Sequence, residues 1–170
     1  MTETSRIDDL RRRVQTDPAS IAFAQLAEEC RRAGHLQEAV DVCRAGLAVH
    51  PRYISARVTL GRALAQLGSL GAAQHELQRV LSVAPQNLAA LRASAEILHA
   101  QGHLVDALAL YRSALVLASN DPEIQLAESE LAQALSREQH ADQRERSLRQ
   151  IAALEQWLSA IHGTRAHRSA

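Results

Sequence analysis

Few residues in this sequence have the chemistry of a catalytic or metal site, and their spacing does not suit one. His99 and His103 are four residues apart, but Gly102 should end a helix between them, so their side chains are expected to diverge. Glu128 and Glu130 are two residues apart and therefore point to different faces of a helix. We expect both carboxylates to lie on solvated surface.

The two cysteines also lack a functional spacing. Cys30 and Cys43 are thirteen residues apart, which matches neither a redox pair nor a usual zinc motif. The chain contains no glycine-rich phosphate loop, no nucleophile elbow and no His-Glu-x-x-His sequence. The sequence therefore predicts no catalytic residue, no metal site, no cofactor and no enzymatic activity.

The composition argues against nucleic-acid and membrane partners. Nineteen basic residues, all of them Arg, balance nineteen acidic residues, so the broad basic field needed for nucleic-acid binding is missing. Four aromatic residues are too few for base stacking. No apolar run approaches the ~20 residues that cross a bilayer. With a polar start and cysteines expected to be reduced, the chain is predicted to be cytoplasmic.

The strongest feature is an internal repeat with a period of 34 residues. Four columns share this spacing: Gly34, Gly68 and Gly102; Leu36, Leu70 and Leu104; Ala39, Ala73 and Ala107; and Leu47, Leu81 and Leu115. Glycine suits a left-handed helix end, and alanine permits close approach of two helices. Pro51 and Pro85 stop the second helix of their units. The predicted pairs are 19–33 with 36–49, 53–67 with 70–83, and 87–101 with 104–117.

These residues resemble the tetratricopeptide repeat family, whose unit has 34 residues. The matching positions are Phe23, Leu26 and Ala27, then Leu60 and Gly61, then Leu91 and Ala95, with Cys43, Leu77 and Tyr111 in the second helices. Arg57 and Ser94 depart from the family's apolar positions, and Ser119 from its proline. The resemblance, over residues 20–119, implies an all-α, right-handed α-solenoid of three helix pairs with N- and C-terminal capping helices.

The ends of the chain are predicted to cover this array. Residues 1–19 form an N-terminal capping helix with Ile7, Leu10 and Val14 on one face, followed by repeats at 20–53, 54–87 and 88–119. Residues 120–162 form a degenerate repeat or capping helices that begin at Asp121-Pro122. Residues 163–170 are expected to be a disordered tail.

An apolar stripe near the C-terminus has two interpretations. Ile151, Leu154, Leu158 and Ile161 recur at spacings of three, four and three residues, after a charged stretch from Arg137 to Arg149. The segment could fold back as the second helix of a fourth unit and seal the stack. The alternative is a homodimer through 148–161, although its two heptads are fewer than a coiled coil normally needs.

The resemblance also implies a binding surface, because the first helix of each pair lines the concave face in this family. The corresponding groove residues here are Gln25, Glu28, Arg31, Arg32, Thr59, Arg62, Gln66, Arg92, Glu96 and His99. Arg can hold a carboxylate with two hydrogen bonds, so such a groove suits an extended peptide or helix with acidic groups. The expected function is that of a non-catalytic scaffold or adaptor, within a bacterial envelope-assembly machine. The alternative is an oligomerisation module acting through the C-terminal helix.

One specialisation of the family is absent. Members that bind chaperone tails hold a C-terminal carboxylate with Lys, Asn and Arg. The matching positions here are Ala24, Glu28, Thr59, Ala89 and Ala93. We therefore expect no binding to the C-terminal tails of heat-shock chaperones.

Overall fold

The computed structural model describes residues 3–18 and 20–166, and these residues contain helices and no strands. The helices are α1 (Glu3–Thr16), α2 (Ala22–Arg32), α3 (Leu36–Val49), α4 (Ile54–Gln66), α5 (Leu70–Val83), α6 (Leu88–Ala100), α7 (Leu104–Leu117) and α8 (Pro122–Ala166). The second helices of the three pairs have the predicted bounds, and the first helices are one to three residues shorter at each end. The chain divides into two units, one up to Glu128 and one from Ser129 onward.

The turn within each pair is built on the repeated glycine. Gly34, Gly68 and Gly102 have φ angles of 81°, 80° and 80°, which is the left-handed region that glycine adopts without steric cost. One residue later the backbone N–H bonds back to the preceding helix. His35 N, for example, donates to Cys30 O at 2.8 Å. Each first helix is thus closed by the same hydrogen-bonded turn, as the glycine column predicts.

The helices pack in chain order. Each helix from α1 to α6 contacts the one that follows it, and the first helices of adjacent pairs also contact each other, α2 with α4 and α4 with α6. The alanine column allows this close packing, since Ala39, Ala73 and Ala107 are fully buried. The leucine column at Leu47 and Leu81 is only partly buried and lies at the edge of the core.

Phe23 fills the interior of the first pair, and Gly46 makes room for it. The Phe23 side chain is 1% exposed, and its ring stacks on that of His50 at 5.9 Å and packs at a tilt against that of Tyr53 at 5.6 Å. A Cβ added at Gly46 would lie 2.0 Å from a ring carbon of Phe23. The ring therefore occupies the space that a larger residue at position 46 would need.

Helix α1 covers the first pair. Ile7 and Leu10 are 2% and 4% exposed and belong to the main core. Two ion pairs hold the polar side of this contact: Arg11 binds Glu38 through two hydrogen bonds of 2.7 Å, and Arg6 lies 3.2 Å from Glu29. The predicted N-terminal cap is thus tied to both helices of the first repeat.

The C-terminal prediction of a second helix that folds back is wrong. Helix α8 is continuous from Pro122 to Ala166, and it includes the charged stretch. No glycine or proline occurs between Pro122 and Gly163, so nothing in the sequence breaks the helix. Charges four residues apart support it instead, as in the pair of Arg146 with Asp142 at 2.6 Å.

The predicted disordered tail at 163–170 is wrong in its first half. Residues 163–166 continue helix α8, while residues 167–170 lie outside the described residues. Before that point α8 exposes an apolar stripe: Leu148, Ile151, Leu154, Trp157 and Leu158 are each 48–66% exposed. The side chain of Ile161 is outside the described side chains. Among the described residues, no helix is long and apolar enough to cross a membrane.

Candidate binding groove on α2, α4 and α6

The predicted groove residues lie on three helices that pack in sequence, α2 on α4 and α4 on α6. Gln25, Glu28, Arg31 and Arg32 are on α2, Thr59, Arg62 and Gln66 are on α4, and Arg92, Glu96 and His99 are on α6. The structure brings most of them into hydrogen bonds or ion pairs across the surface. Gln25 and His99 are exposed and do not bond to the others. We call the surface formed by these three helices the groove.

Glu28 is the centre of a polar cluster at the α2–α4 side of the groove. Arg31 donates two hydrogen bonds to it, at 2.8 and 2.9 Å, and Arg32 donates one at 3.0 Å. From α4, the Thr59 hydroxyl donates at 3.2 Å, and Arg62 lies 3.9 Å away. We call these five residues the Glu28 cluster, and it contains three guanidinium groups against one carboxylate, a net charge of +2.

The charges and hydrogen bonds of the cluster keep the carboxyl group of Glu28 ionised at neutral pH. Burial alone would raise the pKa of Glu28, but the hydrogen bonds and the charge of Arg31, with help from Arg32 and Arg62, lower it to about 2. Hydrogen bonding to Glu28 likewise raises the pKa of Arg31. Because Arg31 is 8% exposed and also donates to Gln66 at 3.2 Å, it ties α2 to α4. The prediction that Arg31 is open to a ligand is therefore wrong.

Arg62 differs from Arg31 and Arg32, the other two cations of this cluster, because it donates no short hydrogen bond to Glu28. Its side chain is 41% exposed, and its ion pair with Glu28 is long. No hydrogen bond from its guanidinium reaches another described residue. Burial, and then the charge of Arg31, lower the pKa of Arg62, so its surroundings favour the approach of a further anion. A carboxylate bound at Arg62 would therefore meet a positively charged group with unused donors.

Arg92 differs from Arg62 in that its guanidinium is hydrogen-bonded to carboxylates. Its guanidinium donates to Glu96 at 3.0 Å and also to Glu123 in the first turn of α8. Burial would lower the pKa of Arg92, but the hydrogen bonds to Glu123 and Glu96 raise it overall. Arg92 lies on α6, on the surface that we call the groove, but its guanidinium is already hydrogen-bonded to two carboxylates. Sequence reasoning missed Glu123 because it lies beyond the third repeat and breaks the 34-residue register.

Two hollows extend along the groove, and Arg62 lines both. The first, about 360 Å³, lies between α4, α6 and the start of α8, and its charged walls are Arg62, Arg92, Glu96, Asp121 and Glu123. Three carboxylates against two guanidinium groups give this end a net charge of −1. The second hollow is about 240 Å³ and has an apolar floor that includes Ala65, Leu70, Ala93, Ile97 and Ala100. The groove therefore runs from a positive side to a weakly negative one.

The positions that match the chaperone clamp by the family resemblance carry no cation. Glu28 places a carboxylate at one of these positions. Thr59 and Ala93 are 7% and 4% exposed and offer no charge to a ligand. Arg62 is at none of the clamp positions, so its charge reaches the groove from a different place.

Comparisons with known proteins agree with this architecture. Residues 31–97 match the tetratricopeptide repeat family. A comparison with curated proteins gave no match. Among solved structures, the chain resembles MamA with a TM-score of 0.70 at 14% identity, covering 79% of each chain. It also resembles a thermophilic repeat protein of Thermus thermophilus, with a TM-score of 0.65 at 24% identity, covering 74% of this chain and 71% of the other.

A third similar structure contains a ligand. The first repeat domain of Spaghetti (RPAP3) bound to the HSP90 peptide SRMEEVD has a TM-score of 0.66 at 18% identity, covering 70% of this chain and 94% of that one. The TM-scores of these structures establish the fold. The chain has the fold of the tetratricopeptide repeat proteins, and residues 31–97 match that family.

Proposed function

We propose that the protein is a non-catalytic scaffold that binds a peptide or helix of a partner protein in the groove, with an acidic side chain of the partner on Arg62. The observation that carries the proposal is the contrast between Arg62 and its neighbours. Arg31 and Arg92 are held in short hydrogen bonds to carboxylates, whereas Arg62 is half-exposed, 3.9 Å from its nearest anion and on the wall of two hollows. A carboxylate would gain charge-assisted hydrogen bonds there.

The similar structures support a binding role for this surface. The first repeat domain of Spaghetti (RPAP3) has the same fold and binds a peptide with three carboxylate side chains. By the family resemblance, the corresponding surface of this chain is the groove on α2, α4 and α6. The apolar floor of the second hollow adds a place for an aliphatic side chain next to the carboxylate on Arg62.

A peptide-display selection on the purified full chain tests the proposal. We expect the selected peptides to be enriched in Asp or Glu and to bind with at least about tenfold lower affinity to the Arg62→Glu variant, which is about 1.4 kcal/mol. Arg79→Glu is the matched control, since Arg79 is an exposed arginine on α5 whose ion pair, with Glu76 at 3.8 Å, is as long as that of Arg62. If the selected peptides bind Arg62→Glu and wild type equally, the groove assignment is wrong.

The peptide SRMEEVD makes a second test of specificity. We expect it not to bind at micromolar concentration, because the positions that match the family's clamp for a C-terminal carboxylate carry no cation here. Micromolar binding, measured by fluorescence anisotropy, would contradict this expectation. Such a result would mean that Arg62 replaces the clamp.

The second candidate function is oligomerisation through α8. It is favoured by the exposed apolar stripe of Leu148, Ile151, Leu154, Trp157 and Leu158. We expect a homodimer whose dissociation is seen on dilution and which is lost in the Leu154→Glu variant. A monomer at every concentration in light scattering would exclude this function.

We also propose a cellular setting, which the cysteines and the family resemblance support. The two free, buried cysteines suit a reducing compartment, which supports a cytoplasmic location. A bacterial envelope-assembly machine as the setting is supported by the family resemblance alone. A pull-down with Arg62→Glu as the comparison would identify a partner whose binding depends on the groove.

A further inference from the structure

The turn between α2 and α3 brings three side chains with metal-ligand chemistry together. The Cys30 sulfur, a His35 ring nitrogen and a Glu38 carboxylate oxygen all lie within 4.8 Å of one another. Within the described residues, no other group of three such donors comes this close. The turn itself sets the arrangement, because Gly34 is left-handed and His35 N donates to Cys30 O at 2.8 Å.

The donor set suits a borderline-soft divalent cation. Thiolate, imidazole and carboxylate are the three ligand types of Zn²⁺, with bonds of about 2.0–2.3 Å, which place neighbouring donors about 3.5 Å apart. The three donor atoms here lie within 4.8 Å of one another, so the distances between them exceed this value by up to about an ångström. His35 and Glu38 can close it, since their side chains are 54% and 34% exposed, while Cys30 is held in the core.

The other two repeats show that the turn does not require these residues. At the positions of Cys30, His35 and Glu38, the second repeat has Leu64, Ser69 and Ala72, and the third has Leu98, His103 and Asp106. All three turns have the same glycine conformation and the same backbone hydrogen bond. The third repeat thus has the imidazole and the carboxylate without the thiol, which provides an internal comparison.

We propose that the α2–α3 turn binds one Zn²⁺-like cation through Cys30, His35 and Glu38, in competition with Arg11 of α1. In the cation-free chain, both Glu38 oxygens accept hydrogen bonds from Arg11 at 2.7 Å. On binding, the Cys30 thiol releases its proton to solvent, its sulfur bonds the cation, and Glu38 exchanges Arg11 for the metal. A water molecule completes a tetrahedral site with three protein ligands.

Two features decide how strongly the site can bind. The Cys30 sulfur binds a cation as the thiolate, so that binding must release a proton. Arg11 has Asp8 as a second partner at 2.8 Å, which can keep its guanidinium paired when Glu38 leaves it. Helix α1 keeps its apolar contacts through Ile7 and Leu10, so we expect it to loosen without detaching.

Titration of the reduced full chain with Co²⁺ alone tests the site, because Co²⁺ replaces Zn²⁺ and a cobalt–thiolate bond absorbs in the near ultraviolet. We expect the thiolate band in wild type and an affinity about fivefold higher in Arg11→Gln, which removes the competing ion pair. We expect no thiolate band in Cys30→Ser. Cys43→Ser is the matched control, since Cys43 is as buried as Cys30 but is not part of the cluster, and it should keep the band.

Two further measurements keep the test decisive if the buried Cys30→Ser variant folds poorly. His35→Ala changes an exposed residue and should weaken Co²⁺ binding at least about tenfold, as expected when a ligand of the metal is removed. Hydrogen exchange of α1 amides should quicken on Co²⁺ addition. Absence of the thiolate band in both wild type and Arg11→Gln, or its persistence in Cys30→Ser, would overturn the site. An unchanged affinity in Arg11→Gln would overturn the competition.

Discussion

The contact between Phe23 and Gly46 allows one substitution to be worked through in energy. In an exposed helix, replacing glycine by alanine stabilises a protein by about 1 kcal/mol. At Gly46 the added Cβ would lie 2.0–2.3 Å from three atoms of the Phe23 ring, well inside van der Waals contact. The ring cannot simply turn away, because His50 and Tyr53 pack against it. Overpacking of this kind costs about 3 kcal/mol, so Gly46→Ala should lose about 2 kcal/mol net.

The measurement is urea denaturation followed by circular dichroism, with Gly71→Ala as the matched control. Gly71 is also a glycine within a helix, but a Cβ there meets nothing within 4 Å. We expect Gly71→Ala to raise the denaturation midpoint by the equivalent of about 0.5–1 kcal/mol and Gly46→Ala to lower it. If Gly46→Ala is as stable as wild type, the reasoning about this contact is refuted.

The repeat suggests a second change that should rescue the first. The positions of Phe23 and Gly46 correspond to Leu91 and Ala114 in the third repeat, both buried there. A smaller side chain in the first helix thus accompanies a larger one in the second. We expect the double variant Phe23→Leu with Gly46→Ala to be at least about 1 kcal/mol more stable than the sum of the single changes predicts. Additive losses would show that the two residues do not share this space.

Three further predictions concern polar groups in the array. Ser94 has a buried hydroxyl without a hydrogen-bond partner among the described residues, so Ser94→Ala should stabilise the protein by about 1 kcal/mol in urea denaturation. Glu28→Gln should cost about 1–2 kcal/mol at neutral pH. The pKa of Glu28 is about 2 in the folded protein and 4.5 ordinarily, so its contribution to stability is present above pH 4.5 and is lost as the pH falls toward 2. The free energy of unfolding of Glu28→Gln should therefore fall less between pH 4.5 and pH 2 than that of wild type. Arg57 pairs with Glu76 at 2.5 Å where both are mostly buried, so Arg57→Leu should cost about 2 kcal/mol, and adding Glu76→Leu should recover most of it.

The helices of the array were predictable because each is bounded by a local feature. Gly34, Gly68 and Gly102 end the first helices, and the predicted second helices needed no correction. The end of the chain was not predictable in the same way. The charges between Arg137 and Arg149 suggest a connection between two helices, yet charge does not end a helix when glycine and proline are absent.

The groove was predictable as a set of positions but not as a set of contacts. The family resemblance places all ten residues on α2, α4 and α6, where the structure has them. Whether an arginine is free depends on side chains from other helices, which a repeat period does not reveal. Arg92 is occupied by Glu123 from α8, whereas Arg62 has only a long ion pair. The cluster of Cys30, His35 and Glu38 was missed because its spacing matches no familiar motif and depends on the geometry of one turn.

The main contacts of the array join helices that follow one another in the chain, or first helices of adjacent pairs. An array packed in this way can be lengthened by whole helix pairs without a change in the kind of contact that each helix makes. Another unit of 34 residues inserted between α5 and α6 would meet the same kind of neighbour on both sides and would move Arg92 away from Arg62 by roughly the 8–10 Å that separates packed helices. The length of the proposed groove is therefore set by the number of units in the chain, and gene duplication could change it in a single step.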